Sequence, residues 1–522
     1  MVVIAMGQAL LSFNASSLPI SMGGMVESFK TPPTTIGTAI VMYSLFVSGF
    51  IMLGGKLGQR FGSKRFFQAS VAFFLMAMVL MVVSPTVNVM LVAQALAGLA
   101  AAAMVPTLVV LIARHYHGKQ QARALGWMGS AGAMAAVLAF LVVGTLERFV
   151  SWRAAFGLLI VLSAAVLLVS FRLEPCEPRP DVKIDLVGVL LSAASIILIT
   201  LGFNNIRNWG LLLARPAAPH SVIGLSPAPM MVVTGMVLGS AFLVWTRKLA
   251  ADNKKTPLVA LEVIDSPRER AAIFAMLTIL AMEAAVTFTV PLYIQIVQGR
   301  NAFQTALAMM PFNLGVFFTA ILIIRLYNRF TPRRIARYAF TLVAAAALWL
   351  AFVVHNDWST FPVLLGLVAF GIGQGALMTL LLNVLVTAAP KELAGDVGAL
   401  RGTANNLGFA VGTAITGALV VGVLSASVMR SLTDNPIVNT ELTQQADLDS
   451  INFLSNDRLA EKLKSTTATP EQVDEVMRIN VEARLRALRI AFFLLGSVAL
   501  LAIFPSNRLP DYRPGEVPAK QR

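Results

Sequence analysis

Charge is what this 522-residue chain has least of: 13% of its residues are Asp, Glu, Lys or Arg, where a soluble protein carries roughly 25%. Cysteine is almost missing. The single Cys176 excludes an internal disulfide and a cysteine-rich metal site, and it reads as an inert residue in a polar loop. The chain has 4 histidines; His115 and His117 lie near the end of one apolar run, His220 and His355 in links, and none has a ligand set. There is no Walker loop and no zinc-protease helix, so ATP drive, metal hydrolysis and a bound cofactor have no support. A cleavable signal peptide is also missing, because the first apolar run has no basic leader and no soluble domain after it. Met1 lies almost inside that run, which leaves a start further upstream or a first span with hardly any tail.

What the chain has instead is 57% hydrophobic residues, in runs of about 20 that each suffice to cross a bilayer. The pattern predicts an all-α polytopic membrane protein with fourteen spans near 3–23, 35–55, 66–84, 88–113, 123–147, 154–172, 185–205, 229–247, 270–296, 304–325, 336–354, 361–388, 398–424 and 487–505. An even number of spans returns both termini to one side.

The net charge of +15 does not mean nucleic acid, because the cations sit in the short links between apolar runs. Alternate links hold Lys56, Arg60, Lys64 and Arg65; Arg114, Lys119 and Arg123; Arg172, Arg179 and Lys183; Arg247, Lys248, Lys254 and Lys255; and Arg325, Arg329, Arg333, Arg334 and Arg337. The opposite links hold only Lys30, Arg148, Arg153, Arg207, Arg215 and Arg300. By the positive-inside rule the first set and both termini are cytoplasmic, in a cell inner membrane.

Parity places the one sizeable hydrophilic insertion, 426–486, outside. It holds ten of the 26 acidic residues. Thr469-Pro470-Glu471-Gln472 reads as a helix start, with a Thr cap, proline at the first position and Gln three residues on. An amphipathic helix from Val473 to about Leu488 would lead into the last span. The segment is either a solvated hairpin or a docking surface for a periplasmic partner.

A repeat organises the chain. Gly55-Lys56-Leu57-Gly58-Gln59-Arg60-Phe61-Gly62-Ser63-Lys64-Arg65 recurs in damaged form at 324–334: Leu57/Leu326, Arg60/Arg329, Phe61/Phe330 and Arg65/Arg334 are identical, Lys64/Arg333 keeps its charge, and an amide stands at Gln59/Asn328. A second pair, Ala97-Gly98-Leu99-Ala100 and Phe370-Gly371-Ile372-Gly373, has nearly the same offset. Duplicated bundles of this kind are a common construction of transporters. The expected division is a six-helix bundle over 1–172, two inserted helices over 173–269, a second six-helix bundle over 270–506 that includes the hairpin, and a tail over 507–522. Gly371-Ile372-Gly373-Gln374-Gly375 lies inside an apolar helix without a preceding strand, so it marks a helix crossing and not a nucleotide loop.

With these residues the chain resembles the fourteen-span drug:proton antiporter branch of the major facilitator superfamily (EmrB- and QacA-like) over nearly its whole length. The loop signature of that branch, G-x-L-A-D-R-x-G-R-K, is met by Gly55, Leu57, Arg60, Gly62 and Lys64. Further matches are Ser151-Trp152-Arg153, Asp185-Leu186-Val187-Gly188 and Pro291-Leu292-Tyr293-Ile294-Gln295. The resemblance implies a major facilitator fold and proton-coupled export of amphipathic drug-like compounds, without enzymatic chemistry. It also implies the loop Gly55, Leu57, Gln59, Arg60, Gly62, Lys64 and Arg65 as a cytoplasmic gate. Glycines allow a tight turn there, and Arg60, Lys64 and Arg65 can bridge to carbonyl ends or acids of the other bundle, a bond made in one state and broken in the other. The plainer reading is that these cations only anchor topology.

The chain departs from the family pattern in three places. The acid of the loop is Gln59, which leaves hydrogen bonding where a charge relay is expected. Counting back from Leu18-Pro19 reaches Ala9 or Leu10 where the family has Asp, and the buried Arg of helix 4 is absent near Gln94, Ala97 and Gly98. The helix 5 signature is eroded to Gly126, Ala135, Ala139-Phe140 and Gly144, although Gly129, Gly132 and Ala136 still offer a small-residue face.

An exchanger of protons needs an ionisable group within the membrane. Glu283, in Ala281-Met282-Glu283-Ala284-Ala285, is the acid expected deep inside a span. Intramembrane acids face the bundle interior and serve function by default, and taking a carboxylate out of water penalises its charged form, as proton pickup requires. Proton coupling and a purely structural acid both remain open. Asn14, Gln94, Asn313, Gln374, Asn383, Asn405 and Asn406 are the expected polar lining of a substrate cavity, with Met282, Phe288, Met309, Met310 and Phe312 as pliable apolar wall; singly, each polar residue reads as well as interhelical glue. Three readings follow. They are a proton-coupled exporter of small molecules, with a periplasmic membrane-fusion adaptor as partner for the hairpin; a facilitator or differently coupled transporter; and a non-transporting membrane scaffold or sensor. The partners expected are the bilayer, protons and a small-molecule substrate, with no nucleic acid.

Overall fold

The computed structural model describes residues 1–31, 33–174, 178–215, 218–221, 223–251, 257–260, 263, 266–296, 298, 300, 302–355, 360–433 and 469–511. Cys176, Lys254, Lys255, the middle of the hydrophilic insertion and most of the tail lie outside the described residues. Among the described residues fourteen helices are long and apolar enough to cross a bilayer. They are α1 (Val2–Ile20), α3 (Pro33–Phe61), α4 (Ser63–Val83), α5 (Val87–His115), α6 (Gly118–Phe149), α7 (Trp152–Ser170), α8 (Leu186–Trp209), α9 (Pro227–Ala251), α10 (Pro267–Ile296), α11 (Ala302–Leu322), α12 (Pro332–Val353), α13 (Phe361–Ala388), α14 (Ala394–Thr433) and α15 (Pro470–Ser506); the short α2 (Met22–Phe29) follows α1.

Local chemistry sets several starts. The Asp185 carboxylate accepts the Gly188 N–H at 2.9 Å and opens α8. Thr469 and Gln472 form a reciprocal capping box with Pro470 in the first turn, opening α15. Between α3 and α4 the chain turns through Gly62 at φ 85°, a conformation that favours glycine. The damaged repeat has Thr331 there, at φ −76°, and its preceding residues Ile323–Asn328 tighten into a 3₁₀ turn where α3 stays α-helical.

Two elements differ from the expected spans. The helix expected over 398–424 begins at Ala394 and runs 40 residues to Thr433. The amphipathic segment after Thr469 and the last span are one helix of 37 residues. At ~1.5 Å per residue, each is nearly twice as long as the ~30 Å hydrocarbon layer is thick. Their extra turns lie on the face opposite the basic links and have a core of their own, with Leu424 and Val428 against Val473, Val476, Ile479, Ala483 and Ala487.

The duplication is visible in the packing. Within the first half α3 packs on α5, α4 on α5 and α7, and α1 on α6; within the second, α11 packs on α13, α12 on α13 and α15, and α10 on α14. Matching glycines make matching crossings. A Cβ on Gly98 of α5 would sit 2.6 Å from the Tyr43 carbonyl oxygen of α3, and a Cβ on Gly371 of α13 would collide with the Phe312 carbonyl oxygen of α11. The two residues whose carbonyls are approached, Tyr43 and Phe312, are themselves separated by the 269-residue offset of the basic repeat (312 − 43).

A pair of arginines repeats the same way. Arg153, in the first turn of α7, donates to the Val82 and Ser84 carbonyls at the end of α4 at 3.2 and 3.1 Å, reaches Ser28 Oγ at 3.0 Å, and stacks over Trp152 at 4.4 Å. Arg489 of α15 donates twice to the Val354 carbonyl at the end of α12, at 3.2 and 3.0 Å. Each arginine satisfies carbonyls that a helix end leaves unpaired.

The halves meet along two seams: α3 and α5 against α14, and α11 and α13 against α6. The pair α8–α9 stands outside this plan. α8 packs on α9 and also on both α3 and α14, so it straddles the first seam. Trp245 of α9 donates its indole N–H to Asp185 at 3.1 Å, tying the end of α9 to the start of α8.

Candidate functional site

Two sites emerge, one at the basic face and one between spanning helices of the second half. At the basic face α3 continues α-helically to Phe61, so Gly55, Lys56 and Gln59 share the side turned to α14. Gly55 and Gly395 bring the two backbones together: a Cβ on Gly55 would lie 3.0 Å from the Gly395 carbonyl oxygen. In that contact Lys56 Nζ stands 3.0 Å from Asp396 Oδ2, and Gln59 Nε2 donates to Asp396 Oδ1 at 3.1 Å. A third donor is the Ala260 backbone N–H, 2.8 Å from Asp396 Oδ2. Asp396 is 1% and Lys56 5% exposed. A buried carboxylate with three donors is well satisfied, and charge-assisted bonds of this sort are the strong ones.

The cations expected to cross the seam are placed differently. Arg60 lies over its neighbour Phe61, 5.9 Å from the ring centroid. Lys64 donates to the Phe171 carbonyl at 3.0 Å, in its own half, and to that of Leu173, at the start of the link to α8. Arg65 is exposed, and Leu57 half-buried. The reason is that Arg60 lies in the last turn of α3 and Lys64 and Arg65 lie beyond the Gly62 turn, while Lys56, one turn earlier, faces the partner helix. A charge pair therefore persists at this point although Gln59 has replaced the acid of the loop; the acid comes from the other half, as Asp396. The 269-residue offset equates Lys56 with Arg325 and Asp396 with Trp127 (127 + 269 = 396). The second seam thus keeps a cation but has an exposed tryptophan where the first has its carboxylate. It is closed by packing, with a Cβ on Gly126 2.5 Å from the Ala320 carbonyl oxygen, and by Ser130 Oγ donating to the Phe317 carbonyl at 2.9 Å.

Glu283 lies inside α10, half-buried, with Gln374 Nε2 of α13 donating to its Oε2 at 2.6 Å. Arg401 of α14 is its electrostatic neighbour. Close approach of α10 and α14 makes this arrangement: a Cβ on Gly408 would lie 2.8 Å from Leu280 Cβ, and one on Gly412 would collide with the Ala281 carbonyl oxygen. Arg401 and Asp396 are the charged residues that reading the sequence for spans did not single out. Asp396 was hidden because the helix was expected to start at 398. Arg401 fell inside the expected span and was itself the available signal, as a cation in an apolar run.

The polar residues expected to line a cavity have different partners. Gln374 contacts Glu283 directly, and Asn405 and Asn406 lie one turn above Arg401, with Asn406 Nδ2 bonding the Gly402 carbonyl at 2.9 Å and Ser44 Oγ 3.4 Å from Asn406 Oδ1 across the seam. Asn313 turns back to the Met309 carbonyl of its own helix at 3.1 Å. Gln94 is buried against Met81 Sδ at 3.4 Å, between α5 and α4 of one half. Asn14, on α1, is fully buried beside Tyr43, and Asn383 is buried in α13. The small-residue face of α6 is divided as well: Gly126 meets α11, while Gly132 meets Ser12 of α1.

Comparison with known proteins agrees with this plan. The Methylenomycin A resistance protein of Bacillus subtilis is 23% identical over 80% of this chain and 87% of its own length. The Probable actinorhodin transporter of Streptomyces coelicolor is 26% identical over 76% of this chain and 67% of its own. The Putative multidrug resistance protein MdtD of Yersinia pestis is 22% identical over 80% and 86%. Among solved structures, the human organic anion transporter MFSD10 superimposes with a TM-score of 0.57 at 13% identity, over 97% of this chain and 98% of that one. The proton:xylose symporter XylE does so with a TM-score of 0.57 at 11% identity, over 96% and 93%. At such identities the structural likeness speaks for the fold alone. A family model, that of the Major Facilitator Superfamily, matches residues 4–413. Together with the duplicated bundles and their two seams, this match makes the chain a multi-pass membrane transporter protein, and it belongs to the Major Facilitator Superfamily.

Proposed function

We propose that this protein is a secondary active transporter of the inner membrane that exports amphipathic, drug-like or toxic small molecules in exchange for protons by alternating access. Export of such compounds is supported by the relatives, whose names record methylenomycin A resistance, actinorhodin transport and multidrug resistance. The basic links put both termini in the cytoplasm, so the seam at Gly55–Gly395 is the inner gate. Residues 1–172 and 270–506 form the two rocking halves, with 173–269 as the inserted unit. Gly55, Leu57, Gln59, Arg60, Gly62, Lys64 and Arg65 shape the gate loop. Asn14, Asn313, Gln374, Asn383, Asn405 and Asn406, with Gln94 behind them, supply polar groups to a weakly polar binding region. The paired ends of α14 and α15 present the hairpin 426–486 to a periplasmic membrane-fusion adaptor.

Proton coupling rests on one observation: a carboxylate, Glu283, set within a spanning helix and held by Gln374 at 2.6 Å. Protonation and deprotonation of such a group can bias which state of a two-state carrier is favoured. The test is transport by purified protein in liposomes, with and without an imposed pH gradient, across a panel of amphipathic compounds. Uphill movement that needs the gradient is expected. Downhill movement alone, or none, overturns the reading.

A further inference from the structure

The inserted helices are tied into the gate at both of their ends. Before α8, the Arg179 N–H donates to the Gln59 carbonyl at 3.2 Å, on the first half. The Arg179 guanidinium also lies 3.6 Å from Glu392. After α9, the Ala260 N–H donates to Asp396 at 2.8 Å, on the second half. Leu258 and Val259, just before that anchor, are 1% and 4% exposed, and Leu258 lies against the first turn of α8, 3.3 Å from where a Cβ on Gly188 would stand. Between the anchors α8 packs on both α3 and α14. An insertion that merely filled lipid beside the halves would need none of these bonds.

We propose that α8 and α9 act as a strap across the inner gate, with Asp396 as the shared latch for the strap and for Lys56 and Gln59. One carboxylate holds the other half through two side chains and holds the strap through a backbone N–H. The first seam cannot part while α8 stays seated on both sides of it, so residues 257–260 leave Asp396 when the gate opens. This inference rests on the gate reading proposed above, and the test separates the two.

The experiment uses the full-length protein with Cys176 replaced by serine, in membranes, and reads labelling by a water-soluble maleimide applied from the cytoplasmic side. One reporter is Leu258→Cys on the strap. The other is Ala399→Cys behind the gate, a site 1% exposed and 3.7 Å from a Cβ on Gly55. Lys56→Met takes the cation from Asp396 and leaves it the Gln59 and Ala260 donors. It is expected to raise labelling at both reporters by about tenfold or more, the scale of one lost charge-assisted hydrogen bond. A rise at 399 with none at 258 overturns the strap and leaves the gate standing. No rise at either site overturns the gate reading and the strap with it. Where Leu258→Cys does not yield folded protein, Val263→Cys, 2% exposed and bonded to the Ala260 carbonyl at 3.2 Å, reads the same release.

Discussion

Gln374 of α13 donates its side-chain amide to the Glu283 carboxylate of α10 at 2.6 Å, so an acid inside one spanning helix is held by a second. If the carboxylate carries the coupled proton, Glu283→Gln keeps its size and loses its charge. Uphill transport driven by a pH gradient should then fall to background, while substrate binding measured at equilibrium changes little. Gln374→Leu removes only the donor, worth about 1.5–3 kcal/mol for a bond to a charged group, and should slow gradient-driven transport roughly tenfold. Undiminished uphill transport by Glu283→Gln sinks the assignment.

Lys56 and Asp396 make a charge exchange informative. Removing one member of a buried pair leaves the other uncompensated at a cost of about 3–5 kcal/mol. Lys56→Asp alone and Asp396→Lys alone should therefore each abolish transport and lower the melting temperature. The double exchange should recover a measurable part of both. Equal damage in single and double variants, read in one double-mutant cycle, would show that the pair is incidental.

Arg153 and Arg489 do the same work in the two halves, joining the end of the third helix to the sixth. Replacing either by alanine orphans helix-end carbonyls and should cost about 1.5–3 kcal/mol. The expected readout is a lower thermal midpoint in detergent, larger for Arg153, which also bonds Ser28 and stacks on Trp152. Arg153→Lys should rescue only in part, because an ammonium cannot reproduce the planar fork.

Gly98 and Gly371 allow helix backbones to touch at equivalent crossings. Gly98→Val and Gly371→Val force α5 from α3 and α13 from α11, an overpacking cost of about 1–3 kcal/mol or more. Both should reduce the folded fraction recovered on size-exclusion chromatography. Gly144→Val, where a Cβ meets nothing within 4 Å, should not.

The fold was legible because its strongest signal, long apolar runs with basic residues in alternate links, depends only on composition. The duplication was legible too, and the Tyr43–Gly98 and Phe312–Gly371 crossings are its three-dimensional counterpart. Helix ends were less so. Ala394 begins α14 ahead of the apolar stretch, which left Asp396 looking like a link residue. Which cation crosses the seam was not legible either. Lys56 and Lys64 look alike in a basic loop, and only the continuation of α3 turns the first toward Asp396 and leaves the second with the carbonyls that follow α7. The polar residues expected to share one cavity could not be sorted by type, since Gln94 and Gln374 are the same residue on equivalent helices yet face Met81 and Glu283.

The two seams carry a last consequence. One is bolted by Lys56 and Asp396; the other, with Trp127 in place of the acid, is shut by glycine packing. A carrier built this way is a door with a lock on one jamb and a greased hinge on the other. Its opening at the basic face is lopsided, and salt or charge mutations act on one edge of the passage while leaving the other untouched.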